Sequence, residues 1–234
     1  MKKILLISAG LFFGGVMLVS AHQPYILDGV RALVSEPEVS KVYYGKLDGV
    51  QHVYFFTAEK SFPLYVNLLV PKTVGAKTDF SFEVKMGTSP GSEMRTVAEA
   101  SGVGFNWQEY FEEFARDSYF KGPEYRADAP SGYYEIIVQN PGMGGRYAIA
   151  IGEEESFPIY EMARLLVVLP RLKKEFFDTS PLYGLTNIVG VGVLAFLLVV
   201  TAGAIGIRRL IVFYLKKMAE PTIPELLGKP PETP

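Results

Sequence analysis

The chain has 234 residues, a formal net charge of −2, 49% hydrophobic residues and no cysteine. Without cysteine it has no disulfides, no thiol nucleophile, no thiolate metal site and no lipid-modified cysteine anchor. Residues 22–181 carry 16 Lys and Arg against 22 Asp and Glu, a net of −6, which excludes the basic footprint that nucleic-acid binding requires.

The first element is a leader over residues 1–21. Lys2 and Lys3 precede an apolar run from Ile4 to Val19, and Val19-Ser20-Ala21 forms a small-residue cleavage site. Cleavage after Ala21 makes His22 the new terminus of an exported chain. A free α-amine and an imidazole on one residue chelate Cu(II), and a second imidazole completes a brace. The chain has one other histidine, His52, so His22 and His52 form the candidate metal pair. Pro24 removes a backbone nitrogen that a purely local copper site would recruit. Apart from this copper alternative, no cofactor is expected.

From Arg31 to Gly152, short segments rich in Tyr, Phe, Val and Ile alternate with Gly, Pro and Asp: "SKVYYGKL", "QHVYFFT", "FPLYVNLLVP", "TDFSFEVKM", "SGYYEIIVQ" and "RYAIAIG". This spacing predicts an all-β, antiparallel sandwich over residues 22–152. Its last two strands, 132–139 and 146–152, are joined by "NPGMGG", a hairpin turn rather than a phosphate cradle, because a strand and not a helix comes next.

"NWQEYFEEFARD" breaks the alternation. Trp107, Tyr110, Phe111 and Phe114 fall at i, i+3, i+4 and i+7, which predicts a short inserted helix capped by Asn106 and Glu109. Its aromatic stripe is either core or a stacking platform for a sugar or a partner chain, and it supplies the candidate ligand-binding residues.

Catalytic patterns fail on physical grounds. "GTSPG" at 87–91 has the form of a nucleophile elbow, but the residue after Ser89 is Pro90, which has no N–H to donate, and no histidine comes after His52. The carboxylates Glu109, Glu112, Glu113 and Asp117, and Glu153 to Glu155, lack a diagnostic spacing for a glycosidase pair or a calcium loop. A carboxylate hydrolase is the enzyme alternative that remains.

Residues 153–184 are predicted to form an amphipathic stalk. Ser156 caps a helix that Pro170 interrupts, and "RLKKEFF" lies against the membrane interface with its lysines reaching headgroups. Leu185 to Ile207 is uncharged and long enough to span a bilayer. Arg208, Arg209, Lys216 and Lys217 come next as a basic membrane anchor on the cytoplasmic side. The remainder of 208–234 is a proline-rich, disordered tail. Ala202 and Gly206 offer a small-residue contact for an oligomer through the span.

The strand segments from "SKVYYGKL" to "RYAIAIG", with Gly132-Tyr133-Tyr134 and Gly145-Arg146-Tyr147 in the terminal hairpin, resemble pre-peptidase C-terminal-like β-sandwich domains over roughly residues 38–152. The whole layout is similar to bacterial single-pass membrane proteins and, distantly, to p24 cargo receptors with their GOLD domain. The tail lacks the dilysine or diphenylalanine ending of that group, and its luminal cysteines are missing. These resemblances imply a jelly-roll-like sandwich and carry no catalytic residue. The expected protein is a single-pass protein of the plasma or inner membrane. Its extracytoplasmic module recognises a protein, a glycan or an envelope component without catalysis; an accessory subunit of a larger membrane complex is the structural alternative.

Overall fold

A computed structural model of the chain describes residues 22–113, 115–156, 158–185 and 188–219. The expected leader at 1–21 with its expected cleavage site, Phe114 and the expected tail from 220 onward lie outside the described residues. In chain order the strands are β1 (Gln23–Ile26), β2 (Arg31–Leu33), β3 (Lys41–Asp48), β4 (His52–Ala58), β5 (Phe62–Pro71), β6 (Ser81–Gly87), β7 (Arg95–Ala100), β8 (Gln108–Glu112), β9 (Asp117–Ala129), β10 (Gly132–Gln139) and β11 (Gly144–Ile151). Helix α1 (Ile159–Glu175), a 3-10 turn (Pro181–Leu185) and helix α2 (Ile188–Ala219) complete the order.

The strands form two sheets, β1-β3-β11-β5-β9-β8 and β2-β4-β10-β6-β7, so the expected sandwich is present. All pairings are antiparallel except β1 with β3 and β2 with β4. The opening segment lines the edge of the first sheet and then crosses over Asp28-Gly29-Val30 to the edge of the second. Because it runs in the same direction as β3 and then β4, it pairs in parallel at both stops.

β11, "GGRYAIAI", shows how period-2 patterning builds two cores at once. Tyr147, Ile149 and Ile151 face the sandwich interior, where Leu64, Val66 and Leu68 of β5 meet Tyr54, Phe56, Val84 and Ile136 of the other sheet. Between them, Ala148 and Ala150 point to the outer face. Small residues there let a helix approach closely, and α1 occupies that face. Leu165, Leu169, Leu172 and Phe176 pack on Val42, Tyr44, Leu69, Ala148 and Ala150.

Two expectations are corrected by these contacts. The helix is not a stalk laid along a lipid interface: its apolar stripe is buried on the sheet, and Lys173 is 4% exposed. It also runs through Pro170 to Glu175 rather than stopping there, because docking offsets the roughly 3 kcal/mol that an interior proline costs. The predicted inserted helix is a strand. The long β9 offers an edge to pair with, aromatic residues favour strands, and a helix this short has too little intrinsic stability to compete. β8 therefore pairs with β9 from Gln108↔Lys121 to Glu112↔Asp117.

The chain divides into two compact units between Val191 and Gly192. α2 is continuous for 32 residues, about 48 Å at helical rise. Within it, Leu198–Met218 is long and apolar enough to cross a membrane by length and composition. This stretch starts 13 residues after the start of the expected run Leu185–Ile207 and takes in Arg208, Arg209, Lys216 and Lys217, all exposed along the helix, the cations expected beyond the span.

Candidate functional site

The sandwich has four edge strands, and three of them are protected. β1 is covered by α1: the Arg164 guanidinium lies 3.8 Å from the Tyr25 ring centre, and its Nη1 donates to the Pro24 carbonyl at 2.6 Å. β2 has three residues, with Arg31 paired to Glu135 at 2.8 Å. β7 carries Arg95 and Glu99, charges that discourage pairing with a foreign strand.

β8 is different. Tyr110 is 40% and Phe111 53% exposed, so the strand presents aromatic surface on both of its faces at the end of the six-stranded sheet. Tyr110 stands 6.4 Å from Tyr119, and burial, with Glu112 and Glu113 nearby, raises its phenol above the ordinary value. Lys72 holds Glu109 at 2.6 Å, and the Glu112 carboxylate accepts from the Ala115 N–H at 2.7 Å. Glu113 is exposed in the turn after the strand.

Trp107 belongs to the structure rather than to this surface. Its Nε1 donates to the Gly102 carbonyl at 3.0 Å. Its ring lies against the backbone of Gly122, where an added Cβ would come within 2.3 Å of it. Of the four aromatic residues read as one stripe, the strand thus exposes Tyr110 and Phe111, keeps Trp107 as packing, and leaves Phe114 outside the described residues.

Beneath α1, beside this edge, lies a cavity of about 30 Å³ lined by His22, Tyr44, Tyr110, Glu112, Tyr119 and Leu172 among others. That volume admits a water molecule or two and no organic ligand. Around it sits a buried polar cluster that patterning did not reveal. The Tyr44 and Tyr119 hydroxyls share a hydrogen bond at 2.5 Å, and burial pushes both phenols far above their ordinary value. Lys173 Nζ donates to the Ala115 carbonyl at 2.7 Å and to Asp117 Oδ1 at 2.5 Å. Burial raises the Asp117 carboxyl, and the Lys173 ammonium pulls it partly back. These groups lock α1 to the sheet.

The two histidines do not converge. His22 is hydrogen-bonded through Nδ1 to Ser40, just before β3 begins, whereas His52 comes after the turn at that strand's far end. An eight-residue strand, roughly 25 Å long at strand rise, separates them. His52 Nδ1 is instead bound to the Tyr147 hydroxyl at 2.9 Å inside the core. The copper brace expected of the pair does not form, and no cluster of three or more His, Asp or Glu suited to a metal occurs among the described residues.

Ser89 sits in a turn closed by Ser92, whose Oγ accepts from the Ser89 N–H at 3.2 Å. The turn lies at the opposite end of the sandwich from His52. Of the second acidic run, Glu153 pairs with Arg126.

No protein-family model matches the chain, and no curated protein matches it. Among solved structures, the Yersinia pseudotuberculosis-derived mitogen is similar at 9% identity and a TM-score of 0.34, over 52% of this chain and 92% of that one. The pre-peptidase C-terminal domain of Bacillus anthracis collagenase is similar at 12% identity and a TM-score of 0.29, over 55% of this chain and 94% of that one. No residue role is carried over from either.

Proposed function

We propose that this chain is a single-pass membrane protein whose extracytoplasmic sandwich is a non-catalytic recognition module, and that β8 is its recognition edge. One observation carries the reading: among the described residues, of the four sheet edges β8 alone joins an open end of a sheet to exposed aromatic side chains. An edge of this kind binds by strand addition, with backbone hydrogen bonds supplying affinity and alternate side chains supplying specificity. Glu113, exposed just past the strand, adds an acidic group at its end, whereas Glu109 is paired with Lys72. The occupant is accordingly an extended segment of a partner protein, with apolar residues against Tyr110 and Phe111 and a basic residue towards Glu113.

The test places photo-reactive residues at 109 and 111 of the full chain in native membranes. Strand addition predicts crosslinks landing two residues apart on one segment of one protein, since alternate side chains share a face. Both crosslinks disappear on Tyr110→Lys. Crosslinks to carbohydrate, or crosslinks unchanged by Tyr110→Lys, would remove the reading.

A further inference from the structure

The sandwich is polarised along its strands. At one end meet the β3–β4 turn, the β5–β6 loop and the β10–β11 turn. The Gly49 N–H donates to the Met143 carbonyl at 2.8 Å, and a Cβ added to Gly145 would lie 3.3 Å from the Lys77 side chain. The tips at this end are apolar and open: Val74 is 103% exposed and Val50 49%. Val30 and Val103 are exposed beside them, each tied to this end by a hydrogen bond of its own or of its neighbour. The Val53 N–H donates to the Val30 carbonyl at 2.8 Å, and the Gly102 N–H donates to Ser81 Oγ at 3.1 Å.

The other end is built from the turns at 59–61, 88–94 and 130–131 and the segments flanking Val39 and Glu154. It carries the exposed carboxylates of Glu36, Glu59, Glu93, Glu154 and Glu155. Among the described residues there, no large apolar side chain is exposed.

We propose that the loop end rests on the bilayer surface, with Val50 and Val74 entering the headgroup region. This rests on α2 crossing the membrane, as the proposed function does. Covalent continuity favours this end over the other. Arg146 Nη1 donates to Asp178 Oδ2 at 2.7 Å, which pins the chain leaving α1 to the start of β11 at the loop end. α2 starts about ten residues later, at most about 35 Å of extended chain, and the intervening 3-10 turn shortens that reach. Leu182 and Tyr183 in this turn are exposed, as suits residues at a lipid–water interface.

Chemistry favours the same end. Apolar tips gain free energy by leaving water at an interface. Lys46, Lys77 and Arg116 are exposed around them and can meet lipid phosphates, beside exposed Asp48 and Glu113, while the other end sets its five exposed carboxylates against Lys60 and Arg95 and is repelled more strongly by an anionic surface.

The absence of cysteine from the sequence makes the test direct. Single cysteines replace Val74, Ser92 or Leu198 in the full chain, are labelled with a polarity-sensitive fluorophore, and are reconstituted in vesicles of phosphatidylethanolamine and phosphatidylglycerol. Half of the vesicles carry a lipid-borne nitroxide quencher. The proposal expects strong quenching at 198 and 74 and none at 92, with Val50→Asp reducing the quenching at 74. Quenching at 198 with equal emission at 74 and 92 would overturn the docking alone. No quenching at 198 would overturn the span and the docking with it.

Discussion

At the scale of single residues, polar groups inside apolar surroundings carry the sharpest consequences. "QHVYFFT" has apolar residues on both alternating faces, so periodicity could not orient His52; the partner hydroxyl of Tyr147, 95 positions away in sequence, does. Burial holds the imidazoles of His52 and His22 below their ordinary value of 6.5. Between that value and the lower native one, the unfolded chain binds protons that the native chain does not, so stability rises with pH there. The contribution of these two imidazoles is therefore fully present well above about pH 6.5 and drains as pH falls through and below it. Urea titrations between pH 8 and 5 are expected to show this decline, and His52→Gln should flatten it in part, leaving the share of His22. A decline unchanged by His52→Gln would show that its imidazole is not held neutral. The Lys173–Asp117 pair is a second case. Lys173→Met strands a buried carboxylate and should cost about 3–5 kcal/mol in unfolding free energy, whereas Lys173→Met with Asp117→Leu should recover most of that. Equal losses in the single and double variants would mean that packing and not charge pairing matters there.

At the scale of elements, the sandwich strands were readable because alternation and turn residues act locally: Tyr147, Ile149 and Ile151 alternate with small residues whichever helix lands on them. What decides β8 and α1 is not local. The spacing of Trp107, Tyr110 and Phe111 suits a helix face, but those residues are strand formers beside an unfilled edge of β9, and pairing wins. "RLKKEFF" reads as interfacial because a lysine between apolar residues resembles a snorkelling one; only the distant Asp117 shows that Lys173 points inward. The same contrast separates a docked helix from a stalk by experiment. Leu169 is 3% exposed, so Leu169→Ala should destabilise the sandwich by about 2–5 kcal/mol in reversible urea unfolding. A helix outside the fold would leave the midpoint unchanged. The candidate edge was legible in part: aromatic spacing singles out Tyr110 and Phe111, but the reason they are exposed, an edge strand, required the sheet order.

At the scale of the whole molecule, the proposed function commits the chain to one topology. Charge alone leaves orientation open, because Arg171, Lys173 and Lys174 stand on one side of the apolar run and Arg208, Arg209, Lys216 and Lys217 on the other. On the proposed function, a leader over residues 1–21 breaks the tie by starting export of the chain before the second apolar segment is made. In the sheet pair Lys173 is consumed by Asp117, while the four later cations are exposed along α2. If the leader is decisive, neutralising all four cations to Gln should leave the orientation unchanged, whereas a charge-determined span should invert or become mixed. Cysteines placed at Ser92 and Met218, one per chain, report this with a membrane-impermeant maleimide. Position 92 should react in intact spheroplasts and position 218 only after permeabilisation, in the native chain and in the neutralised one alike. Labelling of 218 from outside after neutralisation would transfer the orienting role from the leader to the basic cluster, and labelling of 218 from outside in the native chain would place the recognition edge on the cytoplasmic side.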